Sequence, residues 1–420
     1  MISEIKQRIT QLNNGEVPNG YKKTEFGVFP CDWVTDKRLK EIGTFGKGKG
    51  LPGDKMTLEG VPCVGYGDIY MKYNNFHFEK AKSFVDKETA SKSQPIQKGT
   101  LLFTGTGETA EEIGKCVCYN GDETIYAGGD IITFISNEVN PLFLAYQQYQ
   151  DFSLRNKASF GQGHSVVHIR QNNLEKLHVA YPKSVDEQSK IAEILMKWDE
   201  ATELYDKLVS ILITKRDAIV QKIVSANAEW KKYSLSDILQ EKNDYSQKNN
   251  EHVVLSSTKQ GIFYQSDYFD KQVASENNIG YKIVCRGDIV LSPQNLWLGN
   301  INYNDVFEIG IVSPSYKIFE IKSGYDKTLI STIMKQPSML HQYVLASEQG
   351  ASIVRRNLNM DLFYKIKIIL PSIEKQNQLG KIIETINKHI FLCKLQLENI
   401  KSQRKILQQY LLNGIVRVEV

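Results

Sequence analysis

The sequence predicts an α+β protein in which two strand-rich domains, related by a pseudo-two-fold axis, are separated by two long antiparallel coiled-coil helices. Three observations carry that expectation. The chain is written twice at an offset of about 188 residues, so that Gln188 answers Gln376. Each copy is an irregular stretch of alternating apolar residues and glycine-rich turns that closes on a proline, Pro182 or Pro371. After each proline, apolar residues recur at alternating steps of three and four, the pattern of a helix seam. Two copies are too few for a solenoid, so two-fold pseudo-symmetry is the natural arrangement.

Residues 1–20 form a helical segment, because Ile2, Ile5, Ile9 and Leu12 keep the same alternation. The start "KQRITQLNNGEV" resembles the end "RKILQQYLLNGIV", and both resemble "KRDAIVQKIVS" from Lys215. The segment is therefore expected beside the end of the second long helix. Asn14-Gly15 and Asn413-Gly414 are the predicted stops, since glycine accepts the left-handed backbone that closes a helix.

Residues 21–181 make the first strand-rich domain and 226–370 the second. Trp33 with Leu39 and Ile42 answers Trp230 with Leu235 and Ile238 at the entrance of each copy. Likewise "KGTLLFTG" from Lys98 answers "RGDIVLSP" from Arg286, and "DIITFI" from Asp130 answers "SYKIFEI" from Ser315. Short strands between turns follow from this alternation.

Residues 182–225 and 371–414 are the long helices, and 415–420 a tail. The first seam reads Ile191, Ile194, Trp198, Ala201, Tyr205, Leu208, Leu212 and Ile219. The second reads Leu379, Ile383, Ile386, Ile390, Cys393, Leu397, Ile400, Arg404, Leu407 and Leu411. Some 40 residues at about 1.5 Å each give roughly 60 Å of helix. A one-sided apolar seam of that length needs a partner, and the other copy supplies it. Lys215 and Arg404 fall where an apolar residue is expected, as register-setting polar residues do.

With 420 residues, 41% hydrophobic and 24% charged, the chain has the composition of a globular protein of more than one domain. No apolar run reaches the roughly 20 residues of a membrane-spanning helix, and "MISEIKQRITQ" lacks the apolar core of a signal peptide, so a cytoplasmic location is expected. The six cysteines form no CxxC pair and have no zinc-like histidine spacing; Cys116 and Cys118 read as buried strand residues, and no metal site is expected. A net charge of +4 is only mildly basic, so any nucleic-acid surface must come from local clustering.

Catalytic motifs are hard to find. "LLFTGTGET" from Leu101 contains Phe-x-Gly-x-Gly, which could pass for a methyl-donor loop, but the second copy, "IVLSPQNLW", lacks those glycines. No Asn-Pro-Pro-aromatic or Asp-Pro-Pro-Tyr sequence is present, carboxylates are scattered, and "FGKGKGLPG" lacks Walker spacing. The chain is expected to be no enzyme. Paired loops before each final strand are more informative. "GQGHSVVHIRQNN" offers Gln162, His164, Ser165 and Arg170; "QGASIVRRNLN" offers Gln349, Ser352, Arg355, Arg356 and Asn357. Arginine suits phosphate and guanine, and glutamine or asparagine suits adenine, so these loops are candidate DNA contacts. Lys47 and Lys49, on a basic turn, are candidate phosphate contacts.

Together these features resemble the specificity subunits of type I restriction-modification systems. The resemblance rests on the doubled plan, on "GVFPCDW" from Gly27, on "KGTLLFTGTG" followed by "IGKCVCY", and on each proline junction into a long helix, and it covers essentially the whole chain. It implies that 21–181 and 226–370 are target-recognition domains, each reading one half of a bipartite, asymmetric DNA target. The helices would set the spacer and dock two DNA methyltransferase subunits, with S-adenosylmethionine bound by those partners and no cofactor on this chain. Restriction subunits could join the same complex. The insertion "ETAEEIG" from Glu108 departs from the second copy. Alternatives are a specificity partner of a fused methylase-nuclease, or a stand-alone DNA methyltransferase or nuclease.

Overall fold

The computed structural model describes residues 2–73, 76–163, 166–225, 230–268, 277–349 and 356–419. It divides into two units: residues 1–204 with 397–420, and residues 205–396. Both long helices, Val185–Ser225 and Ile373–Leu412, contribute one stretch to each unit.

The first unit is built on a five-stranded sheet in the order Gly43–Lys47, Ile131–Ser136, Thr100–Thr104, Cys116–Tyr119, His77–Phe78. Its neighbours are antiparallel except the last pair. Side chains alternate across the sheet, so the central strand divides its residues between two cores. Leu101 and Phe103, with Cys116, Cys118 and Phe134, face a core shared with Phe143 and Leu144 of the helix Pro141–Gln147. Leu102, Val117 and Tyr119 face a second core with Val64 and Ile69. Cys116 and Cys118 are fully buried strand residues, as the apolar "KCVCY" implies, and burial pushes the Cys116 thiol up to about 12.

The second unit repeats the frame. Its four-stranded sheet runs Leu239–Lys242, Lys317–Ile321, Asp288–Leu291, Ile301–Tyr303. Ile289, Leu291, Phe319 and Ile321 face one core, and Val290 and Ile318 another. The segments matched by sequence, "KGTLLFTG" with "RGDIVLSP" and "DIITFI" with "SYKIFEI", thus occupy matching strands in both sheets.

The junction glutamines explain why the proline boundary recurs. In the first unit Gln188 donates from Nε2 to the Pro182 carbonyl (2.8 Å) and accepts at Oε1 from the Asn140 N–H (2.7 Å). In the second, Gln376 donates to the Pro371 carbonyl (2.9 Å) and accepts from the Asp326 N–H (3.2 Å). Asn140 and Asp326 are themselves the N-caps of the helices Pro141–Gln147 and Lys327–Met334. One buried amide therefore ties the segment that ends on the proline, the long helix and a packing helix together, twice.

The N-terminal helix is joined to the C-terminal turn by a hydrogen bond. The helix Ile2–Asn13 lies by the C-terminal turn, where Arg8 donates to the Ile415 carbonyl (3.2 Å) and the Tyr21 hydroxyl to the Gly414 carbonyl (2.5 Å). Arg417 then bridges Asp32 and Glu187. Gly414 adopts φ +66°, and a Cβ there would stand 2.5 Å from Pro30, so glycine is required twice over.

The second helix seam is as read from sequence: Ile383, Ile386, Ile390, Leu397, Ile400 and Leu411 are buried. The first seam needs correction. Ile191 is buried as read, but beyond it the buried positions include Leu195, Asp199, Val209 and Val220, one residue past the predicted Ile194, Trp198, Leu208 and Ile219. Leu208 is 41% exposed where Val209 is 8%. The displacement has a physical cause: a buried Asp199 occupies the seam and pairs with Arg404, and a search for apolar spacing steps past a carboxylate.

Candidate nucleic-acid interface

In the first unit the edge strand Gly43–Lys47 ends beside the strand Ile131–Ser136, with Lys47 opposite Ile132. The chain then turns at Gly48, whose N–H donates to the Ile131 carbonyl (2.7 Å). A Cβ at Gly48 would lie 1.7 Å from the Gly128 carbonyl, so only glycine lets the basic turn "GKGKG" close on Gly128-Gly129-Asp130. Next to this turn, Gly105 leaves the central strand and donates to the Asp130 carbonyl (2.8 Å). The residues Val167–His168 pair with Thr106–Gly107, and Ile169 donates to the Gly105 carbonyl (3.0 Å). Gln162 and His168 face each other through two backbone bonds (3.0 and 2.9 Å), which closes a narrow hairpin.

These segments enclose an open cleft of about 550 Å³ lined by Lys47, Gly105, Thr106, Gly129, Asp130, Ile132, Gln162, His168, Ile169, Arg170 and Gln171. The fold therefore brings three predicted contacts, Lys47, Gln162 and Arg170, into one concavity. All three are exposed. Some lysines elsewhere in this unit are paired, Lys37 with Glu138, Lys72 with Asp68 and Lys98 with Asp122, while others such as Lys23, Lys40 and Lys87 are exposed outside the cleft. Among the described residues, no side-chain hydrogen bond or ion pair engages Lys47, Lys49 or Arg170. Cations left unpaired in a cleft offer an anion their full donor capacity. Lys49 is exposed on the same turn but does not line the cleft.

Sequence reasoning missed Thr106, Gly129, Asp130 and the pairing of Thr106 Oγ1 with His168 Nδ1 (3.2 Å). The Phe-x-Gly-x-Gly motif that marks Thr106 has a packing explanation. A Cβ at Gly107 would come within 2.7 Å of the Tyr70 hydroxyl, and Gly105 lies against the Asp130 carbonyl. The inserted segment Glu108–Gly114 lines a second cleft of about 380 Å³ with Tyr70, Tyr149 and Lys157. Lys157, 1% exposed, donates to the carbonyls of Gly114 (3.1 Å) and Gln148 (2.9 Å), and burial pulls its ammonium down to about 8.

The second unit carries the corresponding hairpin, Ser347–Gln349 paired with Arg356–Leu358. Gln349 stands opposite Arg356, as Gln162 stands opposite His168. Arg356 donates its N–H to the Gln294 carbonyl (3.4 Å), so this hairpin too is fastened to the segment that follows the central strand. Its guanidinium differs from Arg170: it donates to the Val344 carbonyl (3.2 Å) and lies 5.7 Å from the centre of the Trp297 ring. Arg356 is thus partly engaged by the protein, whereas Asn357 is exposed. Predicted contacts His164, Ser165, Ser352 and Arg355 lie outside the described residues, and Gln349 is placed by its backbone alone.

Known proteins share features with this chain. Residues 30–210 match the type I restriction modification DNA specificity domain. A Methanocaldococcus jannaschii chain assigned as the MjaX type I restriction enzyme specificity subunit is 22% identical, over 95% of this chain and 97% of the relative. The MjaVIII type I specificity subunit of the same organism is 22% identical over 64% of this chain and 70% of its own length. Among solved structures, the type I S subunit from M. genitalium superposes with a TM-score of 0.60 at 15% identity, covering 96% of this chain and 98% of that one. A chain from a study of assembly and conformational transition in the type I R-M system gives 0.51 at 13% identity, covering 96% and 100%. Residues 30–210 are thus similar to the type I restriction modification DNA specificity domain, and the chain as a whole shares the fold of the solved type I S subunit from M. genitalium.

Proposed function

We propose that the chain is the DNA-specificity subunit of a type I restriction-modification complex, in which each strand-rich unit reads one half of a bipartite, asymmetric target. The observation that carries this reading is the pair of equivalent hairpins, each fastened beside its central strand, with the unpaired cations Lys47 and Arg170 beside the first. Lys47 and Lys49 would meet phosphate, which positions without reading. Arg170 and Gln162, like Arg356 and Asn357 in the second unit, have the chemistry to read base edges. His164, Ser165, Gln349, Ser352 and Arg355 extend the same two hairpins in sequence and complete the proposed contact set. Because the loops differ while the frames agree, the two half-sites differ.

The chain supplies no catalytic group in this reading. Methyl transfer belongs to two DNA methyltransferase subunits that carry S-adenosylmethionine, restriction subunits join the same cytoplasmic assembly, and the long helices are the dock. An apolar surface on the second unit supports the dock. Arg216 hydrogen-bonds Asn387 between the antiparallel helices, so Ile211 lies level with Leu392 and Leu208 with Leu395. These four are 62%, 48%, 41% and 59% exposed, apolar side chains on both helices that water disfavours and a partner would cover.

Long-read detection of methylated bases, in cells with and without this chain, tests the proposal. A two-part motif with a fixed spacer that vanishes with the chain is expected. Stoichiometric binding of S-adenosylmethionine by the isolated chain would instead favour a stand-alone methyltransferase.

A further inference from the structure

The polar intrusion in the helix seam is built differently in the two units. In the first, Asp199 of one long helix pairs with Arg404 of the other; the carboxylate is 3% and the guanidinium side chain 14% exposed. The Tyr146 hydroxyl, on a helix of the strand-rich domain, donates to the second Asp199 oxygen (2.7 Å). Gln408 accepts from Arg404 (2.9 Å) and donates to the Tyr146 carbonyl (3.4 Å), and Phe76 roofs the guanidinium at 4.6 Å. Three side chains, Tyr146, Gln408 and Phe76, therefore close around one buried ion pair.

The internal repeat gives the counterpart by the same offset of about 188 residues: Asp199 maps to Asn387, and Arg404 to Arg216. The pairing is kept, since Arg216 reaches Asn387 (3.4 Å), but it is neutral on one side. Its guanidinium is instead balanced by the adjacent Asp217 (2.9 Å), while Tyr146 and Gln408 map to the buried apolar Met334 and Val220. Among the described residues, only the first unit has a buried ion pair across the two helices, with one Arg404 nitrogen, Nη2, left without a hydrogen-bond partner.

We propose that this ion pair pins the first unit at one position along the helix pair, making Asp199, Arg404 and Tyr146 positioning residues for spacer length. The inference rests on the proposed function. An apolar seam of leucines and isoleucines gains nearly the same burial in neighbouring seatings and so specifies position weakly. A buried pair specifies it strongly, because any other seating leaves two charges dry and unpartnered. The second unit, lacking a buried ion pair across the helices, is held by shape and by a glutamine clamp like that of the first. One pinned unit and one adjustable unit make a ruler with a single fixed zero.

The test uses the assembled methyltransferase complex and a duplex library carrying both half-sites at spacers from two base pairs shorter to two longer than the cellular motif. The wild type should select one spacer. Asp199→Asn and the apolar variant Asp199→Leu/Arg404→Met/Tyr146→Phe should reduce its preference over neighbouring spacers by tenfold or more, with half-site sequences unchanged. Replacing a buried charged network by matched apolar groups is compatible with folding, so the apolar variant separates positioning from stability. Asn387→Ala in the second unit should leave the spacer preference intact. Unchanged preference in the apolar variant, failure of that variant to fold, or equal loosening by Asn387→Ala would overturn the proposal. Absence of a two-part site in the wild type would defeat the functional reading itself, a different outcome from a wild type that selects one spacer beside variants that do the same.

Discussion

Lys47→Ala separates positioning from reading in the first cleft. Lys47 is exposed, unpaired and next to the glycine turn, so its ammonium would neutralise one phosphate. Each such contact releases counterion and contributes about 0.9 to the slope of log K against log salt. At about 0.15 M salt that slope corresponds to about 0.7 of a decade, a fivefold change or about 1 kcal/mol. Lys47→Ala should therefore weaken binding about fivefold on cognate and scrambled duplexes alike, lower the slope by about 0.9, and leave the methylation motif untouched. Fluorescence anisotropy of the assembled complex between 50 and 200 mM salt measures all three. Arg170→Ala should behave differently: about 1–3 kcal/mol lost on the cognate duplex, with one base pair of one half-site relaxed. An unchanged salt slope in Lys47→Ala, or relaxed specificity there, would refute the division of labour.

Three further outcomes follow from packing and charge. Gln188→Ala and Gln376→Ala each orphan a proline carbonyl and a backbone N–H, so each should lower stability by about 2–4 kcal/mol by denaturant titration. Because the Lys157 ammonium falls from 10.5 to about 8 on folding, the unfolded chain holds a proton there that the folded chain has lost between those values, and stability contributed by this residue rises with pH across that window. Against Lys157→Met, titrated in parallel so that tyrosine and cysteine effects cancel, the wild type should gain about 3 kcal/mol from pH 8 to 10.5, and a flat difference would contradict the burial argument. Leu208→Glu with Leu395→Glu should abolish co-purification of methyltransferase subunits while leaving the melting temperature of the isolated chain within a degree or two.

The frame was legible because it is repeated and periodic. Matching "LLFT" with "IVLS" and Gln188 with Gln376 needs only the spacing of residues along the chain. The second seam was legible for the same reason, its buried members Ile383, Ile386, Ile390, Leu397, Ile400 and Leu411 all being Ile or Leu. Beyond Ile191 the first was read one residue early, and there the buried group is Asp199, whose partner lies 205 positions away. Half of the cleft was hidden on similar grounds. Gln162 and Arg170 announce themselves by type, but Asp130 joins them only through the carbonyl that receives Gly105, and Thr106 through His168. Such contacts are set by folding, so no local pattern records them. The contrast between a free Arg170 and an engaged Arg356 was equally invisible, because it depends on Val344 and Trp297.

The most direct test of the central claim is a methylome read one unit at a time. Cells carrying the Gln162→Ala/Arg170→Ala variant, and separately the Arg356→Ala/Asn357→Ala variant, are sequenced for methylated bases beside the wild type. The account predicts that the first alters only one half of the motif, the second only the other half, and that both keep the wild-type spacer. A single variant that changes both halves, or two variants that change the same half, would contradict it.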